Sequence, residues 1–340
     1  KPYFLEKIGK ILAKQSIKIF SGDDIRQAVP MRDCVAAIRD AFIQLSGGEI
    51  TAPQRLVMPT NPDDGLLLLM PAFAANKQQS TVKLVRITNS NSARNLPYIQ
   101  ATVMLFDATT GQLLAIMDGE TITAMRTGAA SGAATDAMAR KAAKTLAIFG
   151  TGAQAESQLD GVCAVRSIEK MLVFGRNPNR TADFANRMQQ KFNIDVRVAT
   201  APEQLREADI ICTATTATSP VFADEHVAPG THINGVGAYK PHMQEVPPET
   251  VQRARIAIDE REAALSEAGD LLIPLNAGQI SESHFLAEIG DVFSGKIPGR
   301  QSENEITFFK SVGHAAQDLA LASQVWAAAQ SLNLGKNISL

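Results

Sequence analysis

Apolar residues recur at two different periods along this chain, and the places where the period changes divide it. Residues 1–20 read as a short amphipathic helix running into an alternating strand, Ile17-Lys-Ile-Phe20. Ser21-Gly-Asp-Asp sets cap-type residues ahead of a helical period. Val35, Ile38, Phe42 and Leu45 carry that period through residues 31–45, and Gly47-Gly48 ends it. Period two then takes over. Residues 66–70, 81–87, 99–107 and 112–117 read as strands, with Asp107-Ala-Thr-Thr-Gly111 as the turn between the last two. This first region is expected to be an α+β module on a largely antiparallel or mixed sheet. The Ala-rich stretch 121–138, which carries Arg126, reads as a helix whose small residues allow close packing.

From Lys144 strand and helix alternate. Strands are expected over 145–149, 170–174, 195–198, 209–213, 232–236 and 255–258, with helical patterns over 154–165, 181–192 and 202–207 between the first four. That alternation predicts an α/β fold, a Rossmann-type doubly wound parallel sheet that binds its ligand at the carboxyl ends of the strands. Residues 303–332 are expected to be mostly helical, opening at Glu305-Ile-Thr-Phe-Phe-Lys310 and returning to the first module.

The apolar run 145–149 leads straight into Gly150-Thr151-Gly152-Ala153-Gln154-Ala155 and a helical pattern. This is the Gly-x-Gly-x-x-Ala form of a dinucleotide-binding turn. Gly150 permits the tight turn, Gly152 leaves room for a pyrophosphate, and Ala155 lets the helix pack closely on the strand. The first-turn N–H groups of that helix then point at the phosphates. An acid at the end of the second strand would hold the ribose hydroxyls of NAD. Here that strand runs into Gly175-Arg176-Asn177-Pro-Asn-Arg180, with no Asp or Glu between Lys170 and Asp183. Arg176, Asn177 and Arg180 suit a 2′-phosphate, so NADPH is the expected cofactor, with NADH as the alternative.

Composition narrows the classes. Over 340 residues, 45% are hydrophobic and 20% charged, which fits a globular chain of about two domains. A net charge of -2 supplies no field for nucleic acid or an anionic membrane. No apolar run reaches the roughly 18 residues of a membrane span. Residues 1–18 mix Leu and Ile with lysines but lack a small-residue cleavage signature, and a cytoplasmic location is expected. Cys34, Cys163 and Cys212 are widely spaced in apolar contexts and read as core residues, and the histidines show no metal spacing, so no metal is expected.

Several further motifs are similar to the ornithine cyclodeaminase/μ-crystallin family. They are Pro53-Gln-Arg55, Thr123-Ala-Met-Arg-Thr-Gly-Ala-Ala-Ser131, Phe149-Gly-Thr-Gly-Ala-Gln154 and Asp209-Ile-Ile-Cys-Thr-Ala-Thr215. Beyond these come His232-Ile-Asn-Gly-Val-Gly237, Glu262-Ala-Ala-Leu-Ser-Glu-Ala-Gly-Asp270, and Phe309-Lys-Ser-Val-Gly313 with Gln317-Asp318. The resemblance implies a homodimer of two-domain chains. Residues 1–122 with 311–340 would form a discontinuous α+β domain for substrate binding and dimerisation, and 123–310 the Rossmann domain. It implies hydride exchange at the α-carbon of an amino or imino acid. Arg55, Lys83 and Arg126 match the family's ligands for the substrate carboxylate, with Lys83 also catalytic. Thr213, Thr215, Val236 and Asp318 join the glycine loop on the cofactor.

One departure is informative. Cyclodeaminases carry an aspartate after the Val-Gly-x segment, whereas this chain reads Val236-Gly-Ala-Tyr239-Lys-Pro241. Tyrosine, with an ordinary pKa near 10, is a poor base at neutral pH. A preformed cyclic ketimine needs mainly a hydride, so the pattern from Gly237 to Glu245 looks most like the Δ1-pyrroline-2-carboxylate reductase branch, with Tyr239 beside the substrate. Δ1-Piperideine-2-carboxylate is a second candidate substrate. Ornithine cyclodeamination, other amino-acid dehydrogenation, hydroxyproline dehydration and non-catalytic binding of the μ-crystallin kind remain alternatives.

Overall fold

Two eight-stranded sheets organise the computed structural model, which describes residues 16–61 and 65–339. Strands are numbered in chain order. The first sheet holds β1 (Ser16–Phe20), β2 (Ile50–Thr51), β3 (Leu56–Asn61), β4 (Gly65–Ala74), β5 (Gln79–Thr88), β6 (Ile99–Asp107) and β7 (Leu113–Asp118). From the far end of the chain it gains β16 (Lys336–Ser339). Strands β4 to β7 are antiparallel neighbours, whereas β1 lies parallel to β7 and antiparallel to β16, so the sheet is mixed. The helix expected ahead of Ile17 lies outside the described residues.

The pattern did not reveal β2 and β3. β2 is too short for alternation to register. β3 contains Pro59, which cannot donate to a ladder, and its Leu56, Val57 and Met58 stand exposed rather than alternating.

The helices Met31–Ser46, Gly119–Met138 and Ala315–Leu332 cover this sheet and share one core with it, built on Phe20, Ile38, Phe42, Leu105, Ile122 and Leu319. The last helix packs on β4, β5 and β6, so it does return to the first module. The small residues of Gly119–Met138 serve as expected. A Cβ at Gly128 or Gly161 would collide with the backbone of the opposite helix where Gly119–Met138 crosses Ala153–Cys163.

The second sheet is parallel throughout. Its order is β10 (Asp195–Val198), β9 (Lys170–Phe174), β8 (Thr145–Phe149), β11 (Ile210–Thr213), β12 (His232–Gly235), β15 (Thr307–Lys310), β13 (Arg255–Ile258), β14 (Phe285–Glu288). The chain leaves β8 in one direction across the sheet towards β10 and resumes at β11 on its other side. This leaves a crevice at the carboxyl ends of β8 and β11, where such folds bind ligands. β15 corrects an expectation. Residues 307–310 form a strand rather than the start of a helix, inserted between β12 and β13 and buried at every position. A strand buried on both faces shows no period of two, and its apolar run resembles a buried helix. The helix begins only at Ala315, capped by His314.

Candidate active site

The cofactor end is built mostly from backbone. Gly150 has φ +111, and its N–H donates to the Phe174 carbonyl at 3.0 Å. A Cβ there would stand 2.6 Å from the Ala214 carbonyl oxygen, so glycine is required. Gly152 caps the helix Ala153–Cys163 without a side chain, and no atom lies within 4 Å of where its Cβ would be. Thr151, Ala153 and Gln154 frame an open helix N-terminus, and Ala155 is fully buried beneath it. Beyond β9, Gly175, Arg176, Asn177 and Arg180 are exposed. The Asn177 carboxamide accepts from the Arg180 N–H at 3.0 Å and so caps the helix Pro178–Phe192, leaving the two arginines as the cations at that strand end. An anion-ready N-terminus, a vacant glycine position and a strand end without acid together fit a nicotinamide dinucleotide.

The loops after β11 and β12 close the crevice, and both hang on one residue. Glu245 accepts from the Thr215 N–H at 2.6 Å, the Gly237 N–H at 2.8 Å, the Ala238 N–H at 3.0 Å and the Thr213 hydroxyl at 3.0 Å. The Val236 N–H donates to the Thr213 carbonyl at 3.0 Å, tying the loops together again. Behind them Asp270 accepts from the N–H groups of Glu245 and Val246 and pairs with Lys310 at 2.8 Å. Burial pushes Glu245 above the ordinary carboxylate range, with Asp270 adding to the push. Its partners are nevertheless donors, so it is held as the carboxylate.

The second constellation comes from the other module. Lys83 on β5 is buried with its ammonium 2.7 Å from Asp318 in the helix Ala315–Leu332, and Arg126 Nε lies 3.6 Å from the other Asp318 oxygen. Arg126 Nη1 also donates to the side-chain Oε1 of Gln317 at 2.9 Å. Asp318, expected on the cofactor, lies between Lys83 and Arg126, on a helix that packs against β5. Arg126 Nε, Gln317 Nε2 and both Asp318 carboxylate oxygens are buried without a hydrogen bond of good geometry. Donors and an acceptor left unpaired together mark a polar site that the fold does not complete by itself. Burial, helped by the nearby Arg126 and Arg55 and opposed by Asp318, lowers Lys83 to about 8.

Arg55 reaches the same place from the segment before β3. It donates to the carbonyls of Val312 at 3.0 Å and Gly313 at 2.6 Å, and pairs with Glu267 at 3.1 Å. Gly313 has φ +84, and a Cβ on it would press within 2.6 Å of the Arg126 guanidinium. Asp259, at the end of β13, fixes this turn by accepting from the Ser311 hydroxyl and the N–H groups of Val312 and Gly313. A cavity opens here, bounded by Arg55, Met70, Glu267, Gly313 and His314. Tyr239 is half-buried nearby. Burial raises its phenol, Tyr98 adds to that and Arg55 opposes it, so the hydroxyl is a donor at neutral pH.

Glu267, His314 and Asp259 were not singled out from the sequence, and Glu245 entered only as the end of the pattern that begins at Gly237. Glu267 and Asp270 sit inside a motif noted there, and Asp259 directly follows a recognised strand, so acids at strand and helix ends were the available signal. Among the described residues, no three His, Cys, Asp or Glu side chains gather as a metal site, and no helix is long and apolar enough to cross a membrane.

Residues 17–333 match the family model described as "Ornithine cyclodeaminase/mu-crystallin family". A Δ1-pyrroline-2-carboxylate reductase of Bacillus cereus is 38% identical over 322 residues, 94% of this chain and 99% of that protein. The ketimine reductase mu-crystallin of Mus musculus is 38% identical over 280 residues, 82% of this chain and 85% of that protein. Among solved structures, Thermococcus litoralis Δ1-pyrroline-2-carboxylate reductase in complex with NADH and L-proline superposes with a TM-score of 0.90. It is 37% identical and covers 95% of this chain and 100% of its own. By sequence and by structure, the chain belongs to the ornithine cyclodeaminase/mu-crystallin family.

Proposed function

We propose that this protein reduces a cyclic ketimine acid, Δ1-pyrroline-2-carboxylate to L-proline, and accepts the six-membered Δ1-piperideine-2-carboxylate as well. At the coarser level it is an NAD(P)-dependent oxidoreductase acting on imino or amino acids. The observation that carries the finer reading is the gathering of three cations from separate segments around the Gly313 turn: Lys83 and Arg126 share Asp318, Gly313 lies against the Arg126 guanidinium, and Arg55 lines the cavity beside that turn. An α-imino acid offers the matching carboxylate, and arginine grips it with paired hydrogen bonds. The exposed Arg176 and Arg180 favour NADPH, with NADH as the alternative. A bound reduced nicotinamide supplies the hydride. The chain's own residues hold the carboxylate through Arg55, Lys83 and Arg126, keep water away by burial, and fix the loops of Thr213, Thr215 and Val236 through Glu245. Lys83 is the catalytic cation of the clamp, with a proton exchangeable near neutral pH. Exposed Leu56, Val57 and Met58 on β3 support a homodimer that covers them.

The test is a panel of imino and amino acids assayed for cofactor absorbance change with NADPH and NADH separately. Δ1-Pyrroline-2-carboxylate should consume reduced cofactor. Arg126→Ala should lower kcat/KM about 10- to 100-fold, the worth of a charged hydrogen bond of roughly 1.5–3 kcal/mol. Ammonia released from ornithine by the wild-type protein would replace this reading with cyclodeamination.

A further inference from the structure

Two cavities of very different size share a wall beside the clamp. The inner one, at the Gly313 turn, is bounded by Arg55 and Met70, and its free space of about 10 Å³ suits a single water. The outer one, of about 220 Å³, is bordered by Leu45, Ile50 and the carboxylates of Glu260, Glu262 and Glu288. Pro53, Gln54 and His314 border both. We propose that His314 is the partition that sets how far a substrate reaches from the carboxylate clamp, and so confines the enzyme to small cyclic imino acids. The assignment rests on the reductase reading above and narrows its substrate class.

Of the three shared residues, His314 is the one that the fold holds still. Pro53 and Gln54 are exposed, whereas His314 is only 6% exposed. Its N–H donates to Gln317 Oε1 at 2.9 Å, and its Nδ1 accepts from the Ala316 N–H at 3.4 Å. Backbone and ring are thus both tied to the first turn of the helix Ala315–Leu332. The two residues before it are fixed by Asp259, which accepts from their N–H groups at 2.8 Å. Swinging the imidazole aside would surrender the helix cap, so the wall is rigid.

The partition also stands at a set spacing from the clamp. The Gly313 carbonyl accepts from Arg55, and the Gly313 backbone abuts the Arg126 guanidinium. His314 is the next residue, so a carboxylate gripped there leaves the rest of the molecule little room before the imidazole. The three glutamates of the outer cavity repel the carboxylate itself, and only the tail of a substrate could face that way. A five- or six-membered ring folds its methylenes back towards the nitrogen. A larger ring presses them outward against the wall, and one methylene too many in a pocket of fixed size costs about 10- to 200-fold in kcat/KM.

The experiment compares Δ1-pyrroline-2-carboxylate with its seven-membered ketimine homologue in wild type, His314→Ser and His314→Asn. Serine and asparagine both keep a helix cap, while serine removes most of the ring's bulk and asparagine less. Wild type should favour the five-membered substrate by at least about tenfold in kcat/KM. His314→Ser should reduce that preference about tenfold, and His314→Asn should fall between. Calorimetry of cyclopentanecarboxylate and cycloheptanecarboxylate on the NADPH-loaded enzyme should show the same shift in affinity without turnover. A merely capping role would lower both substrates together, so an unchanged ratio in His314→Ser would overturn the assignment. Equal use of the two rings by wild type would overturn it as well. A wild type that reduces neither ketimine, but whose size preference in binding is lost in His314→Ser, would remove the reductase reading and leave the partition standing.

Discussion

Two clusters of charge are buried in this molecule, and they are completed in opposite ways. Glu245, Asp270 and Lys310 lie at the carboxyl ends of the parallel strands, and Lys310 and Asp270 meet at 2.8 Å. Backbone N–H groups and a threonine hydroxyl occupy the carboxylate oxygens that Lys310 does not. Lys83, Arg126 and Asp318 are also buried, but Arg126 Nε, the neighbouring Gln317 Nε2 and both Asp318 oxygens lack a hydrogen bond of good geometry. Both clusters bear the desolvation cost of burying ions, and only the first recovers it from the protein alone. The contrast separates a structural brace from a binding site more sharply than burial or charge does. A brace is satisfied within the fold, whereas a site keeps polar groups unpaired for something that arrives.

Stability should show the largest difference. Lys310→Met leaves Asp270 buried opposite an apolar group, and breaking a buried pair in this way costs about 3–5 kcal/mol. Urea unfolding at neutral pH should register that loss. Lys83→Met should cost clearly less, because Asp318 keeps Arg126 at 3.6 Å, while its KM for the imino acid rises steeply. Equal destabilisation by the two substitutions would break the distinction between brace and site.

The titration of Lys83 sharpens the same comparison. Its ammonium is lowered to about 8 by burial first, with Arg126 and Arg55 adding to the effect and Asp318 opposing it. A base keeps its proton below its pKa, so the clamp is fully cationic below about 8 and loses one charge as the pH rises through that value. Affinity for a nitrogen-free carboxylate such as cyclopentanecarboxylate should therefore fall above pH 8, by up to about tenfold per unit if the charge is indispensable. With that ligand the substrate's own nitrogen contributes no titration. Lys83→Arg should flatten the profile, since guanidinium stays charged throughout. A wild-type profile that is level to pH 9.5 would show that Lys83 does not supply the binding charge.

How much of this was legible beforehand follows from what each feature depends on. β8, β9, β10 and β13 announce themselves as short apolar or β-branched runs bounded by turn residues, and their limits were read to the residue. β15 was mistaken for helix because Thr307-Phe-Phe-Lys310 is buried on both faces and shows no alternation. Lys83 and Arg126, the cations of the proposed clamp, stood out because Lys83 interrupts an apolar strand and Arg126 a run of small residues, and both are costly places for charge. Glu267 did not, since its meaning lies in a contact with Arg55 from a segment 212 positions earlier. Asp318 was visible, but its pairing with Lys83 and Arg126 was not, because that depends on which face of Ala315–Leu332 packs on β5.

The smallest expected effect lies at the other end of the cofactor. Arg176 and Arg180 are exposed, so solvent and salt screen whatever they hold, and exposed ion pairs are worth about 0.2–1 kcal/mol. Arg176→Ala should weaken NADPH by no more than about tenfold and leave NADH unchanged, because only the former carries a 2′-phosphate. Fluorescence of the bound reduced nicotinamide would follow both titrations, and raising the salt should shrink the difference. In this respect the adenosine end is unlike the carboxylate clamp, whose burial should make substrate affinity far less sensitive to ionic strength. If NADH and NADPH weaken together in Arg176→Ala, the arginine supports the loop after β9 and does not select the phosphate.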